Sequence, residues 1–225
     1  MPVTPIARGS ALATGINVFT LPAERQEALI ETLTAINREI LAHRYPMIVS
    51  ANFHRALDAP IIINYNQYTD RAQGQFLRTQ ANVAPLMKRT HDLSEKHEIR
   101  WYEVADVITA GGPSDRIDIR DGGGAIGVVG IFTVAADKQG ALLELLKRYG
   151  ETLKAASAPG FAGIATHRGY QAAHVASYEQ WASADAYRQA AARGPIAELL
   201  QQINATAEAA TFHPYEVLSV TRFDA

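Results

Sequence analysis

Two eight-residue stretches of this 225-residue chain, Ile61–Tyr68 (IIINYNQY) and His174–Trp181 (HVASYEQW), lie at the same place in a repeated sequence. They are 113 residues apart, and at that offset the chain aligns with itself without a gap from about residue 16 to residue 108. Tyr65 falls on Tyr178, for example, and the register is constant along the whole alignment. A register held over that length predicts a tandem duplication.

Each copy carries the same order of predicted elements. Short β-branched runs such as Ile16–Leu21 and Ile48–Arg55 indicate strands. Between them, apolar residues at positions 29, 33, 36 and 40 have the spacing of an amphipathic helix. Ile48–Arg55 pairs with a following strand, Ile61–Tyr68, and a broken helical segment and a closing strand complete the copy. The resulting βαββαβ order predicts an α+β protein made of two ferredoxin-like repeats, each an antiparallel sheet with helices on one face.

The second face of each sheet is too apolar to remain exposed, and packing the two sheets face to face would bury both. Side chains alternate between faces along a strand. One face is the same in both copies, and we expect it to form the contact between the sheets. The other face has diverged, and we expect it to look toward the helices and a pocket. The shared face carries Tyr65/Tyr178 and Gln67/Gln180, and the divergent face carries Asn64/Ser177 and Tyr68/Trp181.

The predicted domain limits follow from the repeat. Residues 15–108 form the first domain and residues 125–225 the second. Residues 1–14 are a leader, and residues 109–124, rich in Gly, Asp and Arg with little periodicity, are interpreted as a connecting linker.

Composition excludes several classes of function. The chain has 21 Lys+Arg against 23 Asp+Glu, which argues against the basic surface of a nucleic-acid-binding protein. No apolar run approaches the length of a membrane span, and the first 15 residues lack the pattern of a signal peptide. With no cysteine, disulfides, thiolate nucleophiles and Cys-ligated metals are excluded. We therefore expect a cytoplasmic protein.

The segment 172–187 (AAHVASYEQWASADAY) resembles the strand-plus-helix motif of the antibiotic biosynthesis monooxygenase family, a pattern similar to N-Y-x-Q-W-x-S-x-x-A-Y. In the first copy, residues 64–68 (NYNQY) fit the opening of the motif with Tyr in place of Trp. The resemblance covers both repeats and implies a dimeric α+β barrel, formed here within one chain. It also implies kinship with the small quinone-forming oxygenases of aromatic polyketide pathways, which use no flavin, haem or metal.

Transferred residue by residue, the resemblance divides the family's pocket between the copies. Neither copy keeps the complete set, so either the two pockets have specialised or one has become structural. The pocket Asn corresponds to Asn64 and Ser177, the pocket Trp to Tyr68 and Trp181, the helix Tyr to Gly74 and Tyr187, and a helix Arg falls near Lys88 and Gln201.

The implied function is cofactor-independent monooxygenation of an electron-rich phenol, anthrone or dihydroquinone by O2 to a quinone-type product. Without a cofactor, the substrate must be its own reductant, so the protein holds the ring, takes a proton and stabilises the oxyanion. The candidate catalytic residues are Asn64, Tyr68, Trp181, Tyr187, His54 and His167, and the candidate substrate-binding residues are Lys88 and Ser177.

Several of these residues have a structural alternative. Trp181 can equally be a core aromatic under a helix. His54 and His167 occupy equal repeat positions, which suits a shared structural hydrogen bond as well as a base. The other five histidines are interpreted as surface or packing residues: His43, His91, His97, His174 and His213.

Two other functions stay open. The incomplete residue sets suit a non-enzymatic aromatic-binding protein or a cyclase-like helper. Haem degradation is the third possibility, although the suggestive Asn17 and Trp181 lie in different copies. No His or carboxylate cluster with metal-ligand spacing recurs, and no nucleotide-binding Gly fingerprint is present, so no cofactor or metal is predicted. The expected partner is a small aromatic substrate, and the expected assembly is a monomeric pseudo-dimer or a homodimer.

Overall fold

The computed structural model describes residues 2–111, 115–122 and 124–223, with the helical backbone alone for residues 73–75. Among these residues, no helix is both long and apolar enough to cross a membrane. The elements in chain order are β1 (Val3–Ala7), β2 (Ala13–Thr20), α1 (Gln26–His43), β3 (Ile48–Ala56), β4 (Ile61–Tyr68), α2 (Arg71–Leu77), α3 (Ala84–Leu93), β5 (Lys96–Thr109), β6 (Arg116–Arg120), β7 (Ile126–Thr133), α4 (Gln139–Ala155), β8 (Phe161–Gly169), β9 (His174–Trp181), α5 (Ala184–Ala191), α6 (Gly194–Thr206) and β10 (Ala209–Arg222).

Eight of the strands form a closed barrel in the order β10-β3-β4-β2-β5-β8-β9-β7, with antiparallel neighbours throughout. Each copy supplies four consecutive strands, and the two sheets join edge to edge at the β10–β3 and β5–β8 pairs. Both joining pairs carry a β-bulge at equivalent positions, between Val217 and Ser219 and between Val104 and Asp106. The two ferredoxin-like units and the α+β class are therefore confirmed.

The barrel interior contains two tyrosine–histidine hydrogen bonds that each join one copy to the other. The Tyr65 hydroxyl lies 2.8 Å from Nε2 of His167, and the Tyr178 hydroxyl lies 3.0 Å from Nε2 of His54. Nδ1 of His54 faces the carbonyl oxygen of Asn52 at 3.1 Å, so Nδ1 carries the proton and Nε2 accepts from Tyr178. All four partners are fully or almost fully buried. The face that the two copies share is thus the contact between the sheets, as predicted.

Close packing at the barrel centre requires a glycine in one copy. The rings of Tyr65 and Tyr178 meet edge to face at 5.8 Å. A Cβ on Gly127 would lie 2.7 Å from the Tyr178 hydroxyl, so a larger residue would push that ring away. The equivalent residue in the first copy is Thr14, whose hydroxyl lies 3.4 Å from that of Tyr65. The equivalent tyrosines therefore pack against different residues, Tyr178 against Gly127 and Tyr65 against Thr14.

The leader and the linker are more ordered than the sequence suggested. Strands β1 and β6 pair antiparallel as a two-stranded ribbon, and Ile6, Ile117 and Ile119 join the apolar core of the barrel interior. The connecting segment, residues 109–124, contains the strand β6, although its sequence showed little periodicity overall. In RIDIR (116–120), isoleucine alternates with charged residues, which is the period of a half-buried strand.

Two equivalent glutamines tie this ribbon to the barrel. Gln67 donates from Nε2 to the carbonyl oxygen of Pro5 at 2.8 Å, and Gln180 donates in the same way to Asp118 at 2.8 Å. One glutamine therefore holds each strand of the ribbon, which explains why this residue is the same in both copies.

Because His54 and His167 are buried, we expect the free energy of unfolding to fall in mild acid. Burial lowers the pKa of both His54 and His167 from 6.5 to about 4. The unfolded chain therefore binds more protons between these pH values, so the stabilising contribution is complete above pH 6.5 and is lost as the pH falls toward 4. The expected contribution is about 3 kcal/mol for each histidine.

Thermal melts of wild type and His54→Phe from pH 7.5 to 4.5 test this. We expect His54→Phe to melt lower at pH 7.5 but to lose less Tm on acidification than wild type, because His167 alone then contributes. The exposed His43→Gln serves as the control and should follow the wild-type curve. Parallel curves for wild type and His54→Phe would contradict the assignment.

Candidate active site

A cavity of about 190 Å³ lies in the first copy between the sheet and its helices. Strands β2, β3, β4 and β5 form its floor, and helices α1, α2 and α3 cover it. Apolar side chains make most of its wall, as expected of a site for a flat hydrophobic ligand. They include Phe19, Leu33, Ile36, Ile40, Leu77 and Met87.

Asparagine amides form the polar part of the cavity. Asn17 and Asn64 are direct cross-strand partners on β2 and β4, and Asn66 lies two residues further on the same face. The side-chain oxygens of Asn64 and Asn66 are buried and have no hydrogen-bond partner among the described residues. A buried acceptor without a partner costs about 1–3 kcal/mol. The cavity therefore offers hydrogen bonds that a ligand with polar hydrogens would complete.

Two histidines that the sequence-based expectation placed among surface or packing residues belong to this cavity. Nε2 of His97 lies 3.1 Å from Oδ1 of Asn17, and the His97 ring stacks on Phe19 with centroids 4.4 Å apart. Nδ1 of His97 lies 3.3 Å from Nδ1 of His91, which also lines the cavity. Side chains alternate along β5, so His97 lies on the same face as Ile99. This alternation in the sequence could have placed His97 in the cavity.

Burial and nearby positive groups keep the His97 ring neutral. Desolvation lowers its pKa from 6.5 to about 4, and the charges of His91 and Arg78 act in the same direction. Arg78 lines the cavity and is exposed, so it brings a positive charge to the cavity mouth. The described lining residues include no aspartate or glutamate. The electrostatic environment therefore favours an anionic form of a bound ligand.

Three of the predicted residues line this cavity: Asn64, Tyr68 and Lys88. Burial raises the pKa of Tyr68 to about 12, so its hydroxyl stays protonated and accepts from Nδ2 of Asn66 at 3.2 Å. The Lys88 ammonium is exposed and pairs with Asp92 at 2.6 Å. Gly74, which takes the place of the family's helix tyrosine, lies among residues 73–75, outside the described side chains.

Three further candidates, Ser177, Trp181 and Tyr187, belong to the second copy. There the space between sheet and helices is packed with side chains. Ser177 and Trp181 are fully buried, and Tyr187 meets the Trp181 ring at 5.7 Å. Phe161 packs against the same indole at 5.1 Å. Phe161, Trp181 and Tyr187 belong to one apolar cluster beneath α4 and α6.

Larger side chains explain why this half is filled. At the 113-residue offset, Phe161 stands for Ile48, Ile164 for Ala51, and Tyr149 for Ile36. All three larger residues are buried, whereas their smaller counterparts line the cavity of the first copy. Of the two alternatives that the sequence left open, the packing favours a structural second half.

A buried carboxyl group fixes the packing of the second half. Glu179 takes the place of Asn66 and is fully buried. Its Oε2 accepts from the indole Nε1 of Trp181 at 2.8 Å and from the hydroxyl of Tyr149 at 3.2 Å. Burial raises the pKa of Glu179 to about 7, although these two donors oppose the shift. Trp181 is thus held by Glu179 and does not line the described cavity.

His54 and His167 do not join any of these side chains. They lie on the interior face of the barrel, opposite to Asn64 on one sheet and to Trp181 on the other. These two catalytic candidates are therefore absent from the lining of the cavity that Asn64 and Tyr68 share. The alternative of a shared structural hydrogen bond is what the structure shows.

The raised pKa of Glu179 predicts a stability that falls with rising pH. The folded protein binds more protons than the unfolded chain between pH 4.5 and about 7, so above that range folding must bury an ionised carboxylate. We expect Glu179→Gln to raise Tm relative to wild type at pH 9 and to change it little at pH 5. Differential scanning fluorimetry across this range is the measurement, and an equal offset at both pH values would contradict the assignment.

The fold and the cavity together define the structural class of the protein. A closed barrel of two ferredoxin-like units, with a ligand-sized cavity between sheet and helices, is the dimeric α+β barrel, here built within a single chain. Within residues 2–111, 115–122 and 124–223, no three His, Asp or Glu side chains come together as a metal site.

Comparison with known proteins identifies the family. The family model described as antibiotic biosynthesis monooxygenase matches residues 125–202. Tetracenomycin-F1 monooxygenase of Streptomyces glaucescens is 30% identical over 102 residues, which cover 45% of this chain and 89% of that protein. The chain therefore belongs to the antibiotic biosynthesis monooxygenase family.

A solved structure extends the likeness to the whole chain. An anthrone oxidase-like protein superposes with a TM-score of 0.86 over 99% of this chain and 98% of its own, at 21% identity. At that identity the likeness establishes the fold, including the arrangement of two units in one chain, and leaves the activity to the site itself.

Proposed function

We propose that this protein is a cofactor-independent monooxygenase that oxidises an electron-rich phenol, anthrone or dihydroquinone with O2 to a quinone-type product. The observation that carries the proposal is the first-copy cavity, with apolar walls, unpartnered amide oxygens on its floor and no carboxylate in its described lining. Family membership and the names of the relatives support the same class of reaction.

The first role of the cavity is to hold a flat ring in one orientation. Apolar side chains from α1 and α3 lie over one side of the space, and Phe19 and Ile99 line the sheet side. Burial of an aromatic face in such a slot supplies binding energy that is independent of the reacting atoms. Substrate hydroxyl groups would then donate to the free oxygens of Asn64 and Asn66, which are spaced two residues apart along one strand.

The second role is to favour the ionised substrate. Loss of a proton leaves an electron-rich anion that transfers an electron to O2 and then combines with the reduced oxygen. Loss of water from the resulting peroxide gives the quinone, so the substrate loses four electrons and O2 receives four. The amide N–H groups of the cavity asparagines and the Arg78 charge would stabilise the anion, and preorganised donors cost no reorganisation during the reaction.

Because both sheets of the barrel come from one chain, we propose that a monomer is the complete enzyme. The second half would act as a scaffold, since its helix-covered side is filled around Trp181 and Glu179. The small aromatic substrate and O2 are then the partners that the reaction requires. The lack of cysteine suits work in the reducing cytoplasm.

The test is O2 consumption by the purified protein with a panel of anthrones and polycyclic phenols, without added cofactor. We expect substrate-dependent O2 uptake at one O2 per quinone formed. Tight ligand binding without O2 uptake would instead support the non-enzymatic or cyclase-like alternative. A haem-dependent activity with a shifted Soret band would support the haem-degrading alternative.

A pair of matched substitutions tests which half is active. Asn64→Ala should lower kcat by about 10²-fold, the usual effect of removing one preorganised polar group at a developing oxyanion. Ser177→Ala changes the equivalent position in the filled half and should leave kcat close to wild type. Melting temperatures of both variants check folding. Loss of activity in Ser177→Ala alone would move the active site to the second half.

A further inference from the structure

We propose that His91 is the general base of the reaction and that His97 is the residue that positions it. This inference rests on the proposed function and deepens it, because it assigns the proton acceptor. Both side chains line the first-copy cavity, and their Nδ1 atoms lie 3.3 Å apart.

The hydrogen bonds of His97 fix which nitrogens carry protons. Oδ1 of Asn17 can act only as an acceptor, so the Nε2 atom 3.1 Å away must be the protonated nitrogen of His97. A neutral His97 then has a free lone pair at Nδ1. The contact with His91 is a hydrogen bond when Nδ1 of His91 carries the proton and donates it to His97. His91 therefore has its own lone pair at Nε2, and this is the atom that can take a proton.

The surroundings keep this arrangement in place. The His97 ring is stacked almost parallel on Phe19, with an angle of 4° between the planes, and its edge faces the His91 ring at 4.5 Å. Three groups hold His97, namely Phe19 by stacking, Asn17 by a hydrogen bond and β5 through its backbone. His91 receives its orientation from His97, in the way that a base is oriented by a third group in other active sites.

His91 is placed to exchange protons with both ligand and water. It lies on the same face of α3 as Met87 and Lys88, one turn earlier, and all three line the cavity. Its side chain is also exposed, so a proton taken from the substrate can pass to solvent after each turnover.

The other polar groups of the described lining are unsuited to this task. The amides of the four lining asparagines and the hydroxyl of Thr90 do not accept protons near neutral pH; the asparagines are Asn17, Asn37, Asn64 and Asn66. The hydroxyl of Tyr68 stays protonated, and Arg78 and Lys88 are cations. His97 is buried between Phe19 and Asn17 with its Nε2 already donating. His91 is the group that combines a free lone pair with access to the cavity.

The proton step balances without any added reagent. In a phenol, the O–H bond breaks heterolytically. In an anthrone, the bond that breaks is a C–H bond of the methylene carbon opposite the carbonyl group. The proton forms a bond to Nε2 of His91, and the electron pair stays on the substrate anion that O2 then oxidises. The protonated His91 can return this proton to the peroxide anion, which gives a hydroperoxide. The remaining C–H bond on the oxygenated carbon then breaks as the C=O bond forms, and the O–O bond breaks with loss of water.

Charged groups face the two histidines from each element packed against them. Arg78, the residue after α2, acts on His97, Lys88 and Asp92 lie on α3 beside His91, and Glu98 follows His97 on β5. A general base acts in its deprotonated form, so the rate should fall at low pH in a way that depends on the His91 side chain.

The experiment measures kcat and KM from pH 5 to 9 by O2 uptake, with an anthrone that wild type oxidises. We expect His91→Gln to lower kcat by about 10²-fold or more, with little change in KM, and to lose the acid limb of the profile. Added imidazole should partly restore His91→Ala, since the position is open to solvent. His97→Phe keeps a ring on Phe19 but no nitrogen, and it should lower kcat less and shift the acid limb.

Asn204→Ala is the matched control, because Asn204 is exposed and occupies the equivalent position on α6 of the second half. It should retain the wild-type profile. A His91→Gln protein with wild-type kcat and an unchanged acid limb would overturn the inference while leaving the proposed function intact. Absence of O2 uptake by wild type with every substrate would overturn the proposed function instead.

A spectroscopic measurement tests the inference without turnover. Long-range ¹H–¹⁵N spectra of the wild-type imidazoles, assigned with the His91→Gln and His97→Phe variants, report the tautomer of each ring. We expect the Nδ1–H tautomer for His91 and the Nε2–H tautomer for His97 near neutral pH. Finding His91 as the Nε2–H tautomer would overturn the proposal, whatever the activity.

Discussion

The two tyrosine–histidine hydrogen bonds inside the barrel are the constraint on which the rest of the structure depends. Each joins a tyrosine of one copy to a histidine of the other, so neither half can satisfy its own buried polar groups alone. Buried polar groups without partners are costly, and this makes the paired arrangement strongly preferred. It also fixes which face of every strand points inward, because side chains alternate.

Once the inward face is fixed, the outward face of each sheet is free to differ. In one half, Tyr149, Phe161 and Ile164 fill the space beneath the helices, and Glu179 holds Trp181 in that packing. In the other half, Ile36, Ile48 and Ala51 leave a cavity. The fused pair can therefore keep one half for stability, because the closure of the barrel needs both sheets but a reaction needs one pocket.

The cavity is made polar by uncharged groups. Amides from Asn17, Asn64 and Asn66 and the neutral imidazole of His97 line its sheet side, and the positive charges lie toward its mouth. A buried carboxylate would repel an anionic intermediate, whereas amides can stabilise it without a net charge of their own. This arrangement suits a substrate that must become an anion before it meets O2. The filled half shows the contrast, since a carboxyl group stands where Asn66 stands in the open half.

The sequence by itself determined the duplication, the βαββαβ order and the face on which each strand residue lies, because these follow from local periodicity and a constant offset between the copies. It also located Asn64 and Tyr68 on the divergent face, where the cavity is. Only the tertiary structure decided which half is open, since that depends on the summed volume of residues such as Tyr149 and Phe161 that are far apart in the chain. The pairing of His91 with His97 was likewise decided in three dimensions, because a helix and a strand must pack together before the two rings can meet.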